Sequence, residues 1–125
     1  MPSGCLAKGE LMKVVLHLDS DKTRRLRLTL NNMKNLLAAV EGRPVDGVVV
    51  VNGPGAQQVT ASMDMELSEL VTKLAAQGIV FFVCNNSLAQ FDITPEVLHP
   101  AFKVTRAGIL KLIELQRDGY AYVKP

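Results

Sequence analysis

Cys84 stands where a thiol can do chemistry. It closes the apolar run Ile79-Val80-Phe81-Phe82-Val83 and is followed at once by Asn85-Asn86-Ser87, a turn that opens a short helical stretch through Leu88 and Phe91. Free N–H groups at such a turn point back toward the strand end. Together with the helix dipole they favour thiolate over thiol. Ser87 stands three residues on, so in a helical turn its hydroxyl reaches the sulfur. Asn85 and Asn86 tolerate unusual backbone angles and can donate side-chain hydrogen bonds. The competing reading is a packed cysteine, since free cysteine is among the most buried residue types.

Other residues gather around strand ends. His17 would emerge near the end of the first apolar run, as a base or hydrogen-bond donor or as a histidine packed between sheet and helix. His99, before Pro100 in a loop, reads as surface. The loop Asn52-Gly53-Pro54-Gly55 lacks the G-x-G-x-x-G spacing, because Gln58 stands where the last glycine would be, and it has no P-loop lysine. It reads as a tight turn using glycine for positive φ, and as one wall of a pocket. Arg106, near the start of the last helix, is placed to hold an anion at the pocket mouth or to remain a solvated cation. Lys22, Arg24, Arg25 and Arg27 suit an acidic partner or a charged outer helix face. No Ser-His-Asp order and no pair of metal ligands at helical spacing stands out, so neither a metal nor a cofactor is expected.

These residues need elements to position them. Residues 13–18 and 47–51 are apolar and β-branched and read as buried strands. Leu26, Leu30, Met33, Leu37 and Val40 recur at spacings of four and three on one helical face, with Asp19 and Ser20 as candidate N-caps and Gly42 past the end. A second helix carries Leu67, Leu70, Val71 and Leu74 and stops at Gly78. Residues 79–84 form a third strand. Thr94-Pro95-Glu96 resembles a helix start, and residues 102–104 a short fourth strand. Thr105 would cap a last helix with Ile109, Leu112, Ile113 and Gln116 on one face, and residues 120–123 a closing strand. Such alternation predicts parallel strands joined by right-handed crossovers, a three-layer α/β/α sandwich with about five strands. Ligands then sit outside the carboxyl ends of the strands, which singles out His17 to Asp19, Asn52 to Gly55, Cys84 to Ser87 and Thr105 to Gly108.

Composition narrows the partners. The 125 residues suffice for one domain with its own core, 48% of them are hydrophobic and 21% charged, and the net charge is +2. That surplus is too small to argue for nucleic acid or a membrane surface. Two cysteines cannot frame a disulfide scaffold or complete a zinc site alone. Residues 1–11 read as a flexible tail containing Cys5, and 12–125 as the single domain. No signal peptide and no membrane-length apolar run is present, so a cytoplasmic location is expected.

The order "KVVLHL", "NNMKNLL" (with Asn32 and Asn35), "VVVVNGPG", "VCNNSL" and "LQRDGYAYVKP" resembles the small DsrE/DsrF-like proteins of intracellular sulfur metabolism, over nearly the whole chain from Met12. The resemblance implies a flavodoxin-like three-layer fold and homo-oligomers, commonly trimers or hexamers. It implies that Cys84 matches the cysteine that carries sulfane sulfur as a persulfide in sulfur-trafficking members, taking it from a donor protein and passing it to an acceptor thiol. His17, Asn52, Gly53, Asn86 and Ser87 match the pattern near the pocket. The alternatives are an oligomeric small-ligand-binding module with a merely packed Cys84, and a nucleotide or flavin binder, which the imperfect glycine loop disfavours. Residues 120–123 and Leu88, Phe91 and Ile93 are the expected partner surface.

Overall fold

The computed structural model describes residues 10–125; Cys5 and most of the expected tail lie outside the described residues. Five parallel strands form one sheet in the order β4-β3-β2-β1-β5. They are β1 (Met12–Leu18), β2 (Val45–Val51), β3 (Val80–Cys84), β4 (Phe102–Thr105) and β5 (Ala121–Val123). Between them run α1 (Thr23–Ala39), α2 (Met65–Ala76), the six-residue α3 (Asn85–Gln90) and α4 (Gly108–Arg117). A 3-10 turn at Gly53–Gln58 follows β2, and a second lies at Pro95–Val97. Among the described residues no helix is long and apolar enough to cross a membrane.

The order explains how the layers are filled. Three successive connections step from β1 to β4 in one direction, and only the last crosses back over the sheet to β5. The flavodoxin order 2-1-3-4-5 also reverses direction, but here the reversal falls between β1 and β5. Right-handed crossovers then put α1 and α2 on one face and α4 on the other. The main core lies under α1 and α2, where Val14, Leu16 and Leu18 of β1 meet Leu26, Leu30 and Met33, and Val49, Val51, Phe81 and Val83 meet Leu67, Val71 and Leu74. The α4 face holds a smaller cluster of Val15, Val48, Val50 and Leu112, with Val80, Phe82, Leu115 and Tyr120 packed against it.

Several local expectations take a different form. Helix α1 begins at Thr23 with Lys22 at its N-cap, because Asp19 is drawn to Lys124 at 2.7 Å and Ser20, two residues before the cap, accepts the Lys22 N–H at 3.0 Å. Thr105 remains in β4, paired with Cys84, and α4 starts behind Ala107 with no side-chain cap. The buried side of α4 is Gly108 and Leu112, while Ile109 and Ile113 are 63% and 46% exposed. One helix over a five-stranded face buries a single stripe, and the outer apolar residues stay in water. Leu88 is buried in the main core and offers no partner surface, while Ile93 packs against that core and is partly buried.

His99 is likewise interior, 4% exposed. Its Nδ1 accepts the Ala101 N–H at 3.0 Å, which leaves the proton on Nε2, 3.2 Å from both the Ser68 carbonyl and the Thr72 hydroxyl. The loop before Pro100 folds back through the bridge between Thr60 and Leu98, and this carries the ring onto α2.

Candidate functional site

Strand alternation and register bring the candidate residues to one place. In a parallel sheet, registered neighbours share a face and every second residue returns to it. Val15, Val50 and Phe82 belong to the α4 side. His17 and Cys84 lie two residues further along their strands, and Asn52 lies just past the end of β2, so all three share that side at the carboxyl edge. Tyr122 pairs with Val15 and joins them.

Cys84 is both the last residue of β3 and the N-cap of α3, and it is 6% exposed. Burial pushes its thiol pKa up. The Ser87 hydroxyl and the backbone N–H groups of Gly108, Ser87 and Asn86 outweigh that, leaving the thiol below its ordinary value. The sulfur closes no side-chain cap bond on α3. Ser87 is itself oriented: its Oγ accepts the Gly53 N–H at 2.7 Å, so its proton is free to turn toward the sulfur. Gly53 adopts φ +55°, a conformation glycine reaches without steric cost.

Gly108 was only one of the strand-end positions singled out above, with no role attached. A Cβ on it would stand 2.9 Å from Asn52 Cβ and 3.3 Å from Cys84 Cβ. The absence of a side chain thus lets the start of α4 settle between Asn52 and the cysteine and give the sulfur its N–H. The sequence carried no signal for this role, because Thr105 read as the cap and the neighbouring strand ends are set by the fold.

The remaining candidates divide. His17 bonds Asn52 and Tyr122, at 2.8 Å from Nε2 to Asn52 Oδ1 and 2.6 Å from Nδ1 to the Tyr122 hydroxyl. Asn85 and Asn86 have exposed side chains, and Asn86 contributes its backbone N–H. Gly55 is a packing residue, since a Cβ there would stand 3.0 Å from the Leu18 carbonyl oxygen. Arg106 is exposed in the turn before α4. Two of the four residues in the basic run bond within the chain: Arg27 pairs with Glu66, and Arg25 donates to the Pro125 carbonyl at 2.8 Å. Beside His17 a cavity of about 460 Å³ opens at the ends of β1 and β5, lined by Asp19, Ser20, Arg25 and Lys124. This is the topological switch point of the sheet.

The chain matches the model of the DsrE/DsrF-like family over residues 13–125. A solved protein of unknown function from Methanobacterium thermoautotrophicum, MTH1491, is 30% identical, with 91% of this chain and 99% of that chain covered and a TM-score of 0.83. The ychN protein from E. coli is 11% identical over 91% of this chain and 99% of its own, with a TM-score of 0.78, and so shares the fold. No curated protein matches the chain.

Proposed function

The chain belongs to the DsrE/DsrF-like family, which is linked to sulfur metabolism, and on that premise we propose that it carries sulfane sulfur on Cys84. The observation that carries this reading is the set of donors around one buried sulfur: the Ser87 hydroxyl and three backbone N–H groups favour its anion against burial. Donors held in place where charge sits need no reorganisation when the charge arrives.

The transfer is a thiol–persulfide exchange. The Cys84 thiolate attacks the outer sulfur of a donor persulfide R–S–SH. A bond forms between Cys84 Sγ and that sulfur, the donor's S–S bond breaks, and the electron pair leaves on R–S⁻. The resulting Cys84 persulfide is attacked at its outer sulfur by an acceptor thiolate, which regenerates the Cys84 thiolate. No net oxidation occurs in either step. The donor and acceptor are proteins or small thiols of the cytoplasm, and the chain works as a homo-oligomer through its exposed apolar surface.

Intact mass after incubation with a persulfide donor tests the reading. The parent should gain one sulfur atom and Cys84→Ser none; no gain, or an equal gain in Cys84→Ser, removes it. The 6% exposure of Cys84 favours a second reading, a ligand-binding module in which the cysteine only packs. Alkylation of Cys84 that stays slow across the whole pH range would select that one.

A further inference from the structure

The sulfur reading uses Ser87 and the N–H groups near it but leaves the Tyr122–His17–Asn52 chain without a task. The tautomer can be assigned by elimination. Asn52 Oδ1 is a carbonyl oxygen and only accepts, so His17 Nε2, 2.8 Å away, carries a proton. In the neutral ring Nδ1 is then the acceptor, and the Tyr122 hydroxyl at 2.6 Å donates to it. With Oδ1 engaged, the Asn52 Nδ2 group is turned the other way. It lies 3.4 Å from the point where a Gly108 side chain would begin, a point 3.3 Å from Cys84 Cβ. Turning the amide over would set its N–H groups against the His17 N–H, donor against donor, unless the ring proton moved to Nδ1 at the same time. The charged groups nearest the ring already have partners: Asp19 feels His17 electrostatically but is held by Lys124 at 2.7 Å. Arg25, which lines the same cavity, is held by the Pro125 carbonyl.

We propose that His17 is a positioning residue for Cys84: it locks the Asn52 amide so that Nδ2–H faces the sulfur carried there, and Tyr122, bonded to Nδ1, holds the ring in place. This inference rests on the sulfur-carrier reading for its purpose, and its first readout is the bare thiolate. Loss of the Tyr122 hydroxyl leaves Nδ1 without its partner and the ring free to turn or to move its proton to Nδ1. Nε2 can then accept from Asn52, and the amide can turn its oxygen toward the sulfur, where it repels a thiolate.

The test is the pH profile of Cys84 alkylation by iodoacetamide, read by peptide mass spectrometry so that Cys5 is scored separately, with persulfide loading measured in parallel. His17→Leu and Asn52→Leu should slow alkylation at neutral pH about tenfold and move the profile to higher pH, as loss of one hydrogen bond to an anion implies. His17→Gln, which keeps a donor near the place of Nε2, should stay closer to the parent than His17→Leu. Tyr122→Phe, on the exposed strand β5, should shift the profile in the same direction. Unchanged profiles in the Leu variants overturn the inference. If those variants fail to fold, an unchanged profile in Tyr122→Phe overturns it instead. A parent that loads no sulfur while the variants still shift would sink the sulfur reading and support the lock; normal loading with unshifted profiles would do the reverse.

Discussion

At Cys84 the balance between burial and hydrogen bonding can be read through single side chains. Removing the Ser87 hydroxyl leaves burial less opposed, so Ser87→Ala should raise the thiol pKa and slow alkylation at neutral pH about tenfold, on the scale of one hydrogen bond to a charged group. The same balance links to stability. The folded thiol titrates below its ordinary 9.0. Between the folded pKa and that value the unfolded chain holds a proton that the folded chain has shed, so stability rises with pH across this window. The gain is complete above about 9 and is lost as pH falls through the folded pKa. Urea unfolding at a series of pH values should show the rise in the parent and its absence in Cys84→Ser. Gly108→Ala should destabilise by about 1–3 kcal/mol, because its Cβ meets Asn52 Cβ and an overpacked site must shift. It should also slow alkylation by moving a donor off the sulfur. Cys84 was legible because a residue's place at a strand end is a one-dimensional fact. Gly108 and the His17–Asn52 bond were not, because they depend on which strand ends become neighbours.

At the level of elements, the closing segment fixes the far edge of the sheet from both ends. Before β5, the Tyr120 hydroxyl donates to Asp46 at 2.6 Å. Burial, then the Asp46 bond and charge, push its pKa up to about 12. The folded state keeps this proton when the unfolded chain has lost it, so its contribution is full below pH 10 and falls away between about 10 and 12. Tyr120→Phe should therefore lose stability near neutral pH yet show a flatter decline in alkali, measured by chemical unfolding. On the opposite side of the molecule, His99→Ala should cost about 2–4 kcal/mol, since it strands the Ala101 N–H and the Ser68 carbonyl beside a cavity. Strands and helices were legible from period alone: Leu26, Leu30 and Met33 did face the core. Their caps were not, because Asp19 found Lys124, and at α4 the first N–H went to a sulfur from another strand. His99 was misread for a similar reason, as its partners on α2 lie about thirty residues away in the chain.

For the whole molecule, the two faces of the sheet differ in what covers them. The side under α1 and α2 carries the larger core, while α4 alone spans the other and leaves Ile109, Leu110 and Ile113 exposed at 63%, 48% and 46%. Apolar residues clustered on one helix in this way mark association surfaces. A sedimentation mass above that of one chain is the expected result, and Ile113→Glu should lower the mass while leaving the unfolding transition in place. The fold class followed from strand–helix alternation, which constrains a small α/β domain strongly. The strand order did not, because nothing in the sequence of the final connection states how far across the sheet it travels.

That last crossing also sets how the site closes as the chain folds. Tyr122 and Lys124 meet His17 and Asp19 across 105 residues of chain, and Arg25 meets Pro125 across 100. Closing loops of that length costs more entropy than pairing neighbouring segments. The tyrosine's support of His17 therefore belongs to the domain as a whole, not to any segment of it short enough to fold alone.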